Sequence, residues 1–180
     1  APVGRVLDIG TGTGRMIELF ARDAERFVAL DNSVEMLRLA RAKLGGLEDG
    51  ATVQAHTESV LGDFNTLPFP DGSFDTILFH QVLHYAQHPE RAIAEAARAL
   101  APDGRLLVVD FAAHDLEELR SVHAHARLGF TDESISRAFA GAGLVPARTE
   151  TLAGGKLAVK IWLGQRGQSA SESPKLRIVA

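Results

Sequence analysis

The sequence predicts an α/β fold: a mainly parallel sheet with helices on both faces, finished by an antiparallel C-terminal hairpin. Three observations carry this expectation. Short apolar runs recur along the chain, and each closes on glycine, aspartate or histidine, the mark of buried strands handing over to loops. Amphipathic or alanine-rich segments alternate with these runs, as strand-helix-strand units require. The last two apolar runs flank Gly154-Gly155, a tight-turn signal between antiparallel strands.

Each element follows in order. Arg5 to Ile9 is the first strand and opens into Gly10-Thr11-Gly12-Thr13-Gly14, a glycine-rich turn into a helix. Met16, Ile17, Leu19 and Phe20 recur at helical spacing through Ala24, and Phe27 to Asp31 is the second strand. Ser33 is placed to N-cap the next helix, which carries Met36, Leu37, Leu39 and Ala40 and stops at Gly45-Gly46. Leu47 to Thr57 is polar and ambiguous. Ser59-Val60-Leu61 is the third strand, closed by Gly62-Asp63, and Phe74 to His80 is the fourth, after a loop marked by Pro68, Pro70 and Asp71-Gly72. The alanine-rich stretch from Glu90 to Leu100 is a helix ended by Pro102-Asp103-Gly104, and Arg105 to Asp110 is the fifth strand. A polar helical stretch runs from Asp115 to Arg127. A further helix starts near Thr131, its Glu133-Ser134 opening compatible with a cap, and ends at Gly141 or Gly143. Val145 to Leu152 and Lys156 to Leu163 form the hairpin. Glycine, serine and glutamine dominate beyond Gly164, so one domain over residues 1–164 is expected, with a flexible tail at 165–180.

Composition removes several function classes. A chain of 180 residues is one domain of ordinary size. Its 19 Lys and Arg against 23 Asp and Glu leave a net charge of −4, so direct nucleic-acid contact by this domain is not expected. The absence of cysteine removes disulfides, thiolate metal sites and thiol nucleophiles, and fits a reducing compartment. No apolar run is long enough for a membrane span and no signal-peptide layout opens the chain, so a cytoplasmic location is expected. A strand pattern begins within four residues of Ala1, and an upstream extension of the natural protein is expected from it.

Ligands of such sheets bind beyond the carboxyl ends of the strands, where strand order reverses. Glycines at positions 10, 12 and 14 let backbone amides approach a ligand closely and let the strand turn sharply. A dinucleotide fingerprint would need its third glycine where Arg15 stands, which disfavours a nicotinamide-dependent oxidoreductase. Asp31 closes the second strand, where a carboxylate can accept both hydroxyls of a ribose. Asp63 could accept from an exocyclic amine such as that of adenine, with Phe64 and Met36 as apolar walls.

The segments Leu7-Asp8-Ile9-Gly10-Thr11-Gly12-Thr13-Gly14, Ala29-Leu30-Asp31-Asn32-Ser33 with Met36, Gly62-Asp63-Phe64 and Leu67-Pro68-Phe69-Pro70-Asp71-Gly72-Ser73-Phe74-Asp75 resemble the ordered motifs of class I S-adenosylmethionine-dependent methyltransferases. The resemblance spans residues 4–163 and implies a Rossmann-like, seven-stranded sheet. It implies S-adenosylmethionine as cofactor, with Gly10 and Gly12 at its methionine part, Asp8 near the methionyl ammonium, Asp31 on the ribose and Asp63 with Phe64 at adenine. Thr11, Asn32 and Met36 join this set, and His80 lines the methionyl end. Within the family the chain is similar to small-molecule methyltransferases that include ubiquinone and menaquinone biosynthesis enzymes. It is closer still to methyltransferase domains fused behind an ArsR-type winged-helix regulator, on Phe79-His80-Gln81-Val82-Leu83-His84-Tyr85 and Val109-Asp110-Phe111-Ala112-Ala113-His114-Asp115-Leu116. This implies methyl transfer to a small organic acceptor, or alternatively a domain that senses S-adenosylmethionine for an attached regulator. An upstream winged-helix partner and a homodimer belong to the same expectation. Arsenite methyltransferases share the fold but carry metal-binding cysteines, which this chain lacks.

Transfer to a phenol or acidic carbon also requires a base, a role that suits histidine near neutral pH. His84, just past the fourth strand, is the first expectation for it and His114, past the fifth, the second. No metal site is expected: His123 and His125 share a helical stretch, but their spacing points the rings apart, and no acidic trio suggests magnesium. Trp162 is expected in the core.

Overall fold

The structure, a computed structural model, describes residues 3–47, 50–118, 126–152 and 157–167. Four of the five residues of β1 (Arg5–Ile9) are buried, as are five of the six of β2 (Arg26–Asp31), because both strands lie inside a sheet covered on two sides. The sheet has seven strands in the order β3-β2-β1-β4-β5-β7-β6, with β3 (Thr57–Leu61), β4 (Phe74–His80), β5 (Leu100–Phe111), β6 (Leu144–Leu152) and β7 (Val159–Arg166). The first five strands pair in parallel; β7 runs antiparallel between β5 and β6. Strand order reverses between β1 and β4, which is where sheets of this kind bind ligands.

Side chains alternate across the sheet. Leu7, Ile9, Val28, Ile77 and Phe79 face one way and meet Ala92, Ile93 and Ala96 of α4 (Pro89–Ala99) and Ile135 and Phe139 of α5 (Asp132–Gly141). Val6, Phe27, Ala29 and Leu78 face the other way, against Met16 and Ile17 of α1 (Arg15–Phe20), Ala40 and Leu44 of α2 (Val34–Gly45) and Val53 of α3 (Gly50–Gln54). Helices therefore cover both faces. Ser33 caps α2, its side chain accepting from the Met36 N–H, and Thr131 caps α5 by accepting from the Ser134 N–H. Trp162 is 1% exposed, and its indole N–H donates to Asp132 at 2.8 Å.

Some boundaries differ from expectation. The first helix ends at Phe20, and a 3-10 turn over Ala21–Asp23 replaces its expected continuation to Ala24. The fourth helix stops at Ala99, because Leu100 is already extended, with ψ 137°. β5 starts there and swells at Ala101 to Gly104: Phe74 pairs with Leu100, but Thr76 pairs with Arg105. Pro102 cannot donate to the ladder and Asp103 takes a φ of +62°, so the bulge absorbs a turn-like sequence inside a strand. α3 is an element that the ambiguous stretch from Leu47 to Thr57 does not announce. β7 continues through Arg166, two residues past the boundary placed at 164. Residues 119–125 of the expected polar helix, His123 and His125 among them, the hairpin turn at Gly154-Gly155 and the tail from 168 lie outside the described residues. Among the described residues no helix is long and apolar enough to cross a membrane.

Candidate active site

At the reversal of strand order, the carboxyl end of β1 opens into the glycine turn. Gly10 has a φ of +70°, and a Cβ there would lie 2.4 Å from a Val82 methyl, so this position needs glycine both for its conformation and for close contact with the segment after β4. Asp31, at the end of β2 and 7% exposed, holds the turn from the other side. One carboxylate oxygen accepts from the Gly12 N–H and the other from the Ser33 N–H, both at 2.9 Å. Gly10 and Thr11 donate their N–H groups to the Leu30 carbonyl, so the turn is fixed through backbone as well.

Beneath the turn lies Asp8, 0% exposed, with no hydrogen-bond partner for either carboxylate oxygen among the described residues. Burial pushes its pKa up to about 7 and the negative charge of Asp31 adds to the rise. The Thr11 hydroxyl opposes the shift, although at this geometry it closes no hydrogen bond and is itself buried without a partner. A buried carboxylate and a buried hydroxyl left without donors and acceptors are costly. They fit a ligand that brings its own donor.

A cavity of about 760 Å³ extends from the turn across β2 and β4. Gly10, Thr11 and Gly12 line one side; Asp31, Asn32 and Met36 line a second; Phe64, His80, Gln81, Val82 and Tyr85 close the rest. Burial, with a contribution from Arg15, lowers the pKa of His80 despite the opposing pull of Asp110. The ring is therefore neutral near pH 7. Another cavity, about 670 Å³, lies between α4 and α5, but neither the glycine turn nor the strand-end carboxylates line it. The ligand chemistry is at the first.

Nine of the expected residues thus meet around one space or directly beneath it: Asp8, Gly10, Thr11, Gly12, Asp31, Asn32, Met36, Phe64 and His80. Asp63 is exposed and absent from the cavity wall; one of its oxygens accepts from the Asn65 N–H and side-chain amide at 2.7 and 2.8 Å. His84 is also outside the wall. It is 2% exposed, in a 3-10 turn over Leu83–Tyr85, with Nδ1 2.7 Å from Asp110 and its ring stacked at a tilt 4.2 Å from that of Tyr85. His114 accepts through Nδ1 from the Leu116 N–H at 3.2 Å and does not line the cavity either. Sequence reasoning does not single out Arg15, Gln81, Val82 and Tyr85 as wall residues. Of these only Gln81 has an unusual backbone, with φ +53°, and that leaves no mark in the sequence.

Comparison with known proteins accords with this geometry. Residues 7–108, more than half of the chain, match the model of the methyltransferase domain family. The chain is 39% identical over 110 residues to a ubiquinone/menaquinone biosynthesis C-methyltransferase UbiE of Stutzerimonas stutzeri, covering 59% of this chain and 41% of that protein. It is 32% identical over 122 residues to a demethylmenaquinone methyltransferase of Renibacterium salmoninarum, covering 68% and 47%. The chain therefore spans about half the length of these curated relatives. A solved SAM-dependent methyltransferase of Methanosarcina mazei superposes with a TM-score of 0.76 at 18% identity, over 92% of this chain and 93% of that one. The glycine turn, the strand-end carboxylates and the sheet order converge with these matches: the chain belongs to the methyltransferase domain family.

Proposed function

We propose that this domain transfers a methyl group from S-adenosylmethionine to a small organic acceptor and releases S-adenosylhomocysteine. The observation that carries the reading is the meeting, at one reversal of strand order, of the glycine turn, Asp31 bonded to Gly12, and a buried Asp8 carboxylate whose oxygens have no hydrogen-bond partner among the described residues. These groups suit the two polar ends of the cofactor. Asp8 and Thr11 take the ammonium of its methionine part. Asp31 has lone pairs left for ribose hydroxyls beyond the two N–H groups it already holds, and Asn32 stands beside it. Met36 and Phe64 offer apolar surface to adenine, and Asp63 offers its second oxygen to the exocyclic amine.

When bound, S-adenosylmethionine supplies an electrophilic methyl group on a positively charged sulfur. The protein's share is to align an acceptor for in-line attack and, where the acceptor atom bears a proton, to remove it. We assign that proton to His80 ahead of His84 and His114, because His80 alone of the three stands on the cavity wall, with burial keeping its ring neutral and so free to accept a proton. The relatives named for ubiquinone and menaquinone biosynthesis make a reduced quinone the first acceptor to try. The lack of cysteine is in keeping with action in the cytoplasm. An upstream winged-helix domain and a homodimer belong to the same reading, and the full reading frame and sedimentation test them.

Calorimetry with S-adenosylhomocysteine tests the reading first: micromolar binding is expected, about −8 kcal/mol. No heat with either cofactor form, while NADH binds, overturns it. A screen of quinols, phenols, amines and thiols for S-adenosylhomocysteine release then identifies the acceptor. Tight binding with no turnover on any of them favours the sensing module instead. With the acceptor in hand, His80→Gln is expected to lower turnover about 100- to 10,000-fold.

A further inference from the structure

We infer that Asp110 is a positioning residue, which shapes the cavity wall by clamping the His84 turn onto the end of β5. Asp110 is 0% exposed and does not line the cavity. Its Oδ1 accepts from His84 Nδ1 at 2.7 Å and from the Phe111 N–H at 2.8 Å, while Oδ2 accepts from the His84 N–H at 3.2 Å. His84 is thus held by ring and backbone at once. The short contact with the carboxylate calls for a proton on Nδ1, since a carboxylate can only accept.

The clamp reaches the site through its neighbours. Val82 and Tyr85 flank the Leu83-His84 pair and both line the cavity; Val82 also lies against Gly10, where no Cβ would fit. Gln81 donates its N–H to the Val109 carbonyl at 2.7 Å, and Arg127 donates its N–H to the His84 carbonyl at 3.0 Å. These backbone bonds fix the ends of the segment. The carboxylate joins the middle of the segment, through the His84 N–H and ring, to the Phe111 N–H of β5. Releasing Asp110 therefore lets the Val82 and Tyr85 wall drift from the glycine turn, and small displacements of such walls weaken binding and alignment.

The inference rests on the proposal that this cavity binds S-adenosylhomocysteine, and the experiment separates the two. Binding of S-adenosylhomocysteine is measured by calorimetry for wild type, Asp110→Asn, His84→Ala and His84→Asn, with thermal melts to establish folding. Asp110→Asn must turn its amide toward at least one N–H donor. It is expected to bind about tenfold more weakly, as is His84→Ala, an effect of the size that one lost hydrogen bond to a charged group produces. His84→Asn carries an N–H close to the position of Nδ1, so it should recover most of the affinity lost in His84→Ala. Equal affinity in all four proteins overturns the clamp. So does His84→Asn binding as weakly as His84→Ala, since the loss then comes from the missing ring. Failure of wild type to bind overturns the cofactor reading itself. Should the variants not fold, nitrogen NMR of the wild-type imidazole decides: a His84 proton on Nδ1 in slow exchange is expected, and a proton on Nε2 refutes the geometry.

Discussion

Asp8 and Asp110 are both wholly buried aspartates on neighbouring halves of one sheet, and they have opposite surroundings. Asp110, at the end of β5, takes three N–H donors. Asp8, on β1 beneath the glycine turn, takes none among the described residues, and its pKa climbs to about 7. A carboxylate supplied with donors is part of the scaffold, because the fold itself compensates the loss of water. A carboxylate deprived of them stores an unfavourable energy that a cationic partner can release. Asp31 lies between the two, bonded to two N–H groups yet facing the cavity.

A dispensable Asp110 would break this contrast first. Asp110→Ala removes the acceptor of three N–H donors, and chemical denaturation is expected to show a loss of about 3 kcal/mol, the top of the range for taking a partner from a buried donor. Asp8→Asn should act in the opposite direction. Because the folded pKa of Asp8 lies above its unfolded value of 3.8, the stability it contributes is present below about pH 4 and is lost as pH rises to about 7. Above pH 7 the asparagine variant should be the more stable by up to about 4 kcal/mol, since each pH unit separating the folded and unfolded values is worth about 1.4 kcal/mol. Denaturation midpoints at pH 5 and pH 8 check this: a gain that fails to grow with pH would mean that Asp8 is not penalised by burial. Affinity for S-adenosylhomocysteine should also rise with pH toward about 7 in wild type, as Asp8 ionises, and stay flat in Asp8→Asn. Asp31→Ala should remain folded and weaken that affinity by about 1 to 3 kcal/mol; an unchanged dissociation constant would move the ribose elsewhere. Ser33→Ala removes the cap of α2 but leaves the N–H that Asp31 accepts. It should lower stability by about 1 kcal/mol and leave binding within twofold, separating helix capping from the carboxylate's own work.

Strand ends are legible in the sequence because burial on two faces demands apolar runs, and the polar residue that closes each run stands out. That is why local pattern alone suffices to place Asp31, Met36 and Phe64 at one cavity. It does not suffice for the pairing of Asp110 with His84, since 26 positions separate them and neither residue is unusual for its element. Arg15 is conspicuous for the fingerprint it breaks, while its place on the cavity wall follows from how α1 leaves the turn. α3 is only five residues long and three of them, Gly, Thr and Val, are weak helix formers, while Val53 packs into the core. β5 hides its first residues because Pro102-Asp103-Gly104 reads as a turn, which the bulge accommodates without ending the strand.

The contact between Gly10 and Val82 makes two distant positions into a single steric unit. No side chain can be added at 10 while a branched residue occupies 82, and trimming 82 alone would not free 10, whose φ of +70° still disfavours any β-carbon. Variation at this junction is therefore one-sided. Position 82 can shrink and enlarge the cavity toward bulkier acceptors, but position 10 has nowhere to go. A library aimed at new acceptors would find its freedom on the β4 side of the cavity and meet a rigid wall on the β1 side.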